Sequence, residues 1–208
     1  MAWTQVCFRY DGSFAGFLSC VFDSYAHREL PAAFAGPDTA QFSLFPERTV
    51  PTDRAHAGRV YRSLAGQISP QAQRMVSLGF LTCLPQREMH LWRFIRLGYR
   101  QGAQVTRDLA EPRVAVLNRA ILHLEHEAHL LKGFLRFSDQ GGVLTAEIEP
   151  KNRVLPLLGP HFCARFSGEA FLIYDRTHRE ALFHRTGGSA ILPMDEFSPA
   201  RPGREELD

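Results

Sequence analysis

The stretch Glu125–Phe137, EHEAHLLKGFLRF, together with His123 just upstream, holds three histidines, two carboxylates, a lysine and an arginine. An imidazole near its free pKa moves protons at neutral pH, and a neighbouring carboxylate orients it. Glu127 and His129, with His161 further on, are therefore the candidate acid, base or ligand groups of a hydrolase or transferase. Glu127 and His129 stand only two apart on a helix, so their side chains leave it on different sides. His123, His126 and Glu127, at i, i+3 and i+4, share a side, and Glu125 with His129 forms an i, i+4 pair on another. A histidine satisfied by backbone or carboxylate near a packed helix end would give the same pattern.

A second set is cationic. Arg93, Arg96, Arg100, Gln104 and Arg107 fall within an arc of roughly 80° if the helix carrying them is continuous. Such a row suits phosphates. It is equally what a solvated helix face looks like, or one paired with acids such as Glu111 or Glu125. Arg136 extends the set: with residues 139–142 as a hairpin loop, Phe137 faces Leu144, Arg136 faces Thr145, and Glu147 is the diagonal neighbour that would aim the guanidinium. A third set, Asp11-Gly12-Ser13, lies between a strand and a helix. Asp11 or Ser13 can cap that helix, and the same turn can hold an anion at the helix N-terminus.

These groups need elements to hold them. Val6, Phe8 and Tyr10 alternate as a first strand, and Phe14, Phe17, Leu18, Val21, Phe22 and Tyr25 follow at helical spacing. Residues 31–53 read as a long ordered loop, with or without a short strand, anchored by Phe42, Leu44 and Phe45. Three helices come next, starting at Thr52 or Asp53, at Ser69-Pro70 and at Pro85, the last running to about Leu109 with Tyr99 on its apolar side. The helix with the histidines begins at Pro112, buries Val114, Leu117, Ile121, Leu124, Ala128 and Leu131, and ends at Gly133. Two hairpins follow, over 135–149 and over 170–184, separated by an apolar, twice proline-broken segment, 154–162. The expected fold is α+β: a helical layer or bundle packed on a small, mostly antiparallel sheet built from the first strand and the two hairpins. Residues 1–192 are expected to form this single domain and 193–208 a disordered tail.

Composition narrows the function. The 208 residues carry a net charge of +2, too small by itself to declare a nucleic-acid binder. The cations are almost all arginine, the better reader of phosphates and bases; lysine occurs only at Lys132 and Lys151. No apolar run is long enough to cross a bilayer, and the first residues lack the pattern of a signal peptide. Cys7, Cys20, Cys83 and Cys163 show no close spacing, which fits free thiols in the cytoplasm and no cysteine-held zinc or iron–sulfur centre; no metal and no cofactor is expected.

The segments YDGSFAGFL (Tyr10–Leu18), RFIRLGY (Arg93–Tyr99), EAHLLKGFLRF (Glu127–Phe137) and LPLLGPHF (Leu155–Phe162) resemble a bacterial domain of unknown function associated with DNA metabolism or DNA repair. Members of that family are typically encoded beside a radical-S-adenosylmethionine DNA-repair protein, and some carry a uracil-DNA-glycosylase-like domain after this one. The resemblance covers about residues 6–185 and looks like the form without the glycosylase part. Its pattern falls here on Asp11, Gly12, Arg93, Arg96, Glu127, His129, Gly133, Arg136 and His161, and leaves out His123 and His126. The resemblance implies a DNA-repair setting and a radical-S-adenosylmethionine partner, without fixing a reaction. The expected function is a DNA-repair accessory protein in which Arg93, Arg96, Arg100 and Arg136 contact DNA or a nucleotide. The alternatives are the His/Glu hydrolase or transferase acting on a nucleotide or nucleic acid, and a partner-docking scaffold whose surface draws on the sixteen phenylalanines.

Overall fold

A computed structural model describes residues 3–37 and 44–197. The fold is α+β, with helices and two sheets, the larger of them mostly antiparallel. The chain divides into two compact units, Met1–Ile121 and Leu122–Asp208.

Unit 1 opens on β1 (Thr4–Arg9), α1 (Phe14–His27), β2 (Glu29–Ala35) and β3 (Glu47–Thr49). The three strands form a parallel sheet in the order β2-β1-β3. The first strand thus does not join the hairpins in one sheet, as the sequence suggested. Its partners come from the segment expected to be a loop, where Pro31 is tolerated because β2 lies at the sheet edge. Of the three expected loop anchors, Leu44 is fully exposed, Phe45 is partly exposed, and Phe42 lies outside the described residues.

Local signals set the helix starts that follow. Asp53 caps α2 (Arg54–Ser63) by accepting from the N–H groups of Ala55 and His56. Ser69 caps α3 (Pro70–Phe80), with Pro70 in its first turn. Between them Leu64–Ile68 forms a π turn, closed by Ser69 N–H donating to Leu64 O at 3.0 Å. The next helix, α4 (Arg87–Gln101), stops at Gly102, whose φ of 66° and ψ of −152° suit only glycine. A short 3₁₀ segment, Gly102–Arg107, follows. Phe8, Phe17, Leu64, Leu91, Phe94, Ile95 and Leu117 are all fully buried in this unit's core. Gly98 is a close-packing position: a Cβ there would stand 2.5 Å from Ile68 Cδ1 and 3.1 Å from its Cγ2.

The long α5 (Pro112–Phe134) gives Val114, Leu117 and Ile121 to that core and continues into unit 2. Gly133 lies inside its last turn rather than beyond its end. Unit 2 then adds β4 (Ser138–Asp139), β5 (Val143–Ile148), α6 (Leu155–Arg165), β6 (Ala170–Asp175), β7 (Glu180–Arg185) and β8 (Gly188–Pro193). These strands form a sheet in sequence order, antiparallel except for the β5–β6 pair. Phe137 packs with Phe162, Phe166 and Phe171 in an aromatic cluster, and Gly159 of α6 sits against Leu182 of β7. Leu172, Tyr174, Ala181 and Phe183 form a second cluster, onto which Met194 and Phe197 pack. Of the tail expected from 193, residues 193–197 are described, with Met194 and Phe197 packed on this cluster, and the remainder lies outside the described residues.

Candidate nucleic-acid interface

The cationic row lies on α4. Arg93 and Arg100 are exposed, and Arg96 is half-buried. Arg96 lies over two indoles, its guanidinium 4.8 Å from the Trp3 ring centre and 5.2 Å from that of Trp92. Trp92 is itself fixed: its Nε1–H donates to Ser24 Oγ at 3.1 Å, and Ser24 Oγ–H donates to Glu29 O at 2.8 Å. Among the described residues no carboxylate pairs with Arg93, Arg96 or Arg100. Glu111, a possible partner by sequence, is held by Arg113 at 2.6 Å instead. The row is shorter than expected. Because α4 ends at Gly102, Gln104 and Arg107 fall in the 3₁₀ segment and no longer share its face.

Beside the row lies a pocket of about 600 Å³ bounded by α1, α2, the π turn and α4. Phe22 and Tyr25 line it from α1, Arg59 and Ser63 from α2, Gln67 from the π turn and Tyr99 from α4. Among the described residues, no acidic side chain lines it. Tyr25 meets Tyr99 edge-to-face at 5.7 Å and Trp3 at 5.8 Å, so pocket and row share an aromatic wall. Arg59 lies 5.3 Å over the Phe22 ring, and His56 stacks on that ring at 3.8 Å. Burial and the neighbouring Tyr99 push the Tyr25 hydroxyl up to about 12, against the pull of Arg96 and Arg100. Sequence reasoning placed Phe22, Tyr25 and Tyr99 on inward faces; Tyr25 is in fact 38% exposed. Helical spacing did not set Tyr25 or Tyr99 apart from the buried residues of their apolar stripes.

Asp11, Gly12 and Ser13 form a turn and a cap. Ser13 Oγ accepts from Gly16 N–H at 2.9 Å, and Asp11 accepts from Ser13 N–H, Ser13 Oγ–H and Thr52 Oγ1–H. Burial raises the Asp11 carboxyl, but those hydrogen bonds outweigh it and hold the group below its usual range. A carboxylate anchored beside the start of α1 disfavours a bound anion there.

In unit 2 the carboxylate of Glu127 is a fastener. It accepts from Lys151 N–H at 2.8 Å, Asn152 N–H at 2.9 Å and Asn152 Nδ2–H at 2.7 Å, and Asn152 Nδ2 also meets His123 Nδ1 at 3.0 Å. His129 and Arg136 are exposed, and His161 Nε2 is buried without a partner among the described residues. No hydrogen bond, ion pair or ring contact among the described residues joins Glu127, His129, His161 and Arg136 to one another. The expected Arg136–Glu147 pairing does not form. The observed register is Ser138↔Thr145 and Asp139↔Leu144, which leaves Arg136 short of the strand, and Glu147 pairs with Arg176.

Sequence reasoning also missed a buried group at the β6–β7 turn. The fully buried Asp175 holds His178 Nδ1 at 2.7 Å, and Glu180 meets Arg153 at 3.3 Å. Burial raises the Glu180 carboxyl. The possible ligand atoms of Asp175, His178 and Glu180 lie within 4.8 Å of one another, near enough to hold a divalent cation. Arg153 and the Asp175–His178 hydrogen bond already serve these groups.

Unit 1 of this α+β chain thus sets an arginine row beside an aromatic pocket. The chain belongs to the family described as a domain of unknown function, DUF4130, which matches residues 85–206, more than half its length. The match takes in RFIRLGY, EAHLLKGFLRF and LPLLGPHF and lies beyond YDGSFAGFL. No curated protein matches the chain. No helix among the described residues is long and apolar enough to cross a membrane.

Proposed function

We propose that this protein is a nucleic-acid-binding accessory factor of DNA repair or DNA metabolism. It engages DNA through Arg93, Arg96 and Arg100 and acts with a radical-S-adenosylmethionine partner in the cytoplasm. The observation that carries the DNA-binding part is the α4 row. Two of its guanidiniums are exposed, the third lies over the rings of Trp3 and Trp92, and no carboxylate neutralises them among the described residues. Charges free of acidic partners suit phosphate contacts, which dominate nucleic-acid affinity, and the ring contacts of Arg96 direct one of the three. The partner and the repair setting rest on the family resemblance alone. The four free cysteines fit a reducing compartment.

The test is fluorescence anisotropy with labelled single- and double-stranded DNA across a salt series. Binding should weaken linearly in log–log form. The Arg93→Ala/Arg100→Ala variant should lower the slope by about 0.7 per lost single-strand phosphate contact. No binding at low salt, with and without the radical-S-adenosylmethionine protein, would refute the reading.

A further inference from the structure

We infer that the pocket between α1, α2 and α4 takes a single unstacked nucleobase, and one that carries an exocyclic amino group. This rests on the nucleic-acid reading above and extends it from the phosphates to a base. The volume, about 600 Å³, is ample for a flat heterocycle. The walls are three aromatic rings, Phe22, Tyr25 and Tyr99, with the Arg59 guanidinium over one of them. Aromatic faces and arginine planes are the surfaces on which splayed bases stack.

Arg59, over Phe22, brings only donors to the pocket, and the polarity around Ser63 follows from where its hydrogens go. Ser63 Oγ–H donates to Val60 O at 2.7 Å, so that hydrogen is spent. Tyr99 Oη lies 2.6 Å from Ser63 Oγ, and with the serine hydrogen committed the tyrosine must be the donor. The Ser63–Tyr99 pair therefore offers lone pairs and no hydrogen to a ligand. Gln67, exposed on the π turn, has no hydrogen-bond partner among the described residues and offers both an acceptor and donors. A π turn interrupting a helix is often found at functional sites. An acceptor pair favours a base edge with an amino group, as in cytosine or adenine, over one with a carbonyl in that place, as in thymine.

The test compares three single-stranded oligomers of equal length and charge with the full-length protein: oligo-dC, oligo-dT and an all-abasic chain. The expected order is dC tighter than dT, and both tighter than the abasic chain. Loss of the base should cost about 5- to 150-fold in affinity. Tyr25→Ala should bring dC towards the abasic value while leaving the salt slope unchanged. Tyr99→Phe should keep stacking and shrink the dC-over-dT ratio, and thermal melting would show that both variants are folded. Equal binding of abasic and base-bearing chains would overturn the base pocket and leave phosphate binding standing. Weaker abasic binding with dT equal to or tighter than dC would overturn the amino-group preference. Failure of all three to bind would overturn the base pocket, and failure of duplex DNA as well, with and without the radical-S-adenosylmethionine protein, would remove the nucleic-acid reading itself.

Discussion

Arg96 illustrates how much a single side chain depends on its neighbours. A lone arginine on a helix face is mobile and solvated. In contact with the rings of Trp3 and Trp92 it is directed, and the Trp92–Ser24–Glu29 hydrogen bonds hold one of the two indoles in place. Arg96→Ala should cost about 0.5–2 kcal/mol of stability and shift tryptophan emission; Arg96→Lys should recover little of either, since an ammonium lacks the planar fork. No change in emission in Arg96→Ala would show that these ring contacts do not persist in solution. Glu127 works differently, with its acceptor capacity spent on the 151–152 turn. Glu127→Ala strands these donors, of which Asn152 is buried, and should destabilise by about 1–3 kcal/mol. Burial raises this carboxyl, but the Lys151 and Asn152 hydrogen bonds win and hold its folded pKa below the ordinary value. Its contribution is thus complete above the unfolded pKa and lost as pH falls through the folded one. The stability gap between wild type and Glu127→Gln, followed by denaturant unfolding, should narrow in acid below the usual glutamate range. A gap independent of pH would contradict this role.

At the scale of elements, the pocket depends on how α2, the π turn and α4 meet. Ile68, at the end of the π turn, packs so closely onto Gly98 of α4 that a methyl group there would force its side chain to shift. Gly98→Ala should destabilise by about 1–3 kcal/mol through overpacking. Adding Ile68→Val should recover part of the loss, and the double-mutant cycle would measure the coupling. Additive effects would mean that the contact is not tight. Gly102 fixes where α4 stops, and so confines the cationic row to Arg93, Arg96 and Arg100. Helical arithmetic carried the row to Arg107 because a sequence pattern does not register a backbone angle.

At the scale of the molecule, α5 is the covalent thread between the units, supplying core residues to the first and Glu127 to the second. The proposed phosphate and base contacts all belong to unit 1. Tyr25 gives a whole-protein reporter of that surface. Its ionisation is pushed up to about 12 by burial and Tyr99. A folded pKa above the unfolded one means stability that is full below about pH 10 and lost as pH rises through the folded value. An ultraviolet titration should therefore show one fewer late-ionising tyrosine in Tyr25→Phe, with the raised Tyr10 and Tyr99 remaining. An ordinary midpoint for Tyr25 would show an open, hydrated site.

The sequence by itself determined what depends on near neighbours. Asp11 or Ser13, Thr52 or Asp53, and Ser69-Pro70 mark helix starts to within two residues because a cap is satisfied locally, and the 170–184 hairpin is legible because its two strands adjoin one short turn. The tertiary structure decided what depends on partners far along the chain. It made 29–35 and 47–49 strands by pairing them with β1, moved the 138–145 register by two residues so that Glu147 took Arg176, and gathered Phe22, Tyr25, Arg59, Gln67 and Tyr99 from four elements into one pocket. The physical reason is that a cap or a turn closes a ring of a few atoms whose geometry the residue types prescribe. A strand pairing or a pocket wall is chosen among many competing distant contacts, and only the packing of the whole chain selects one.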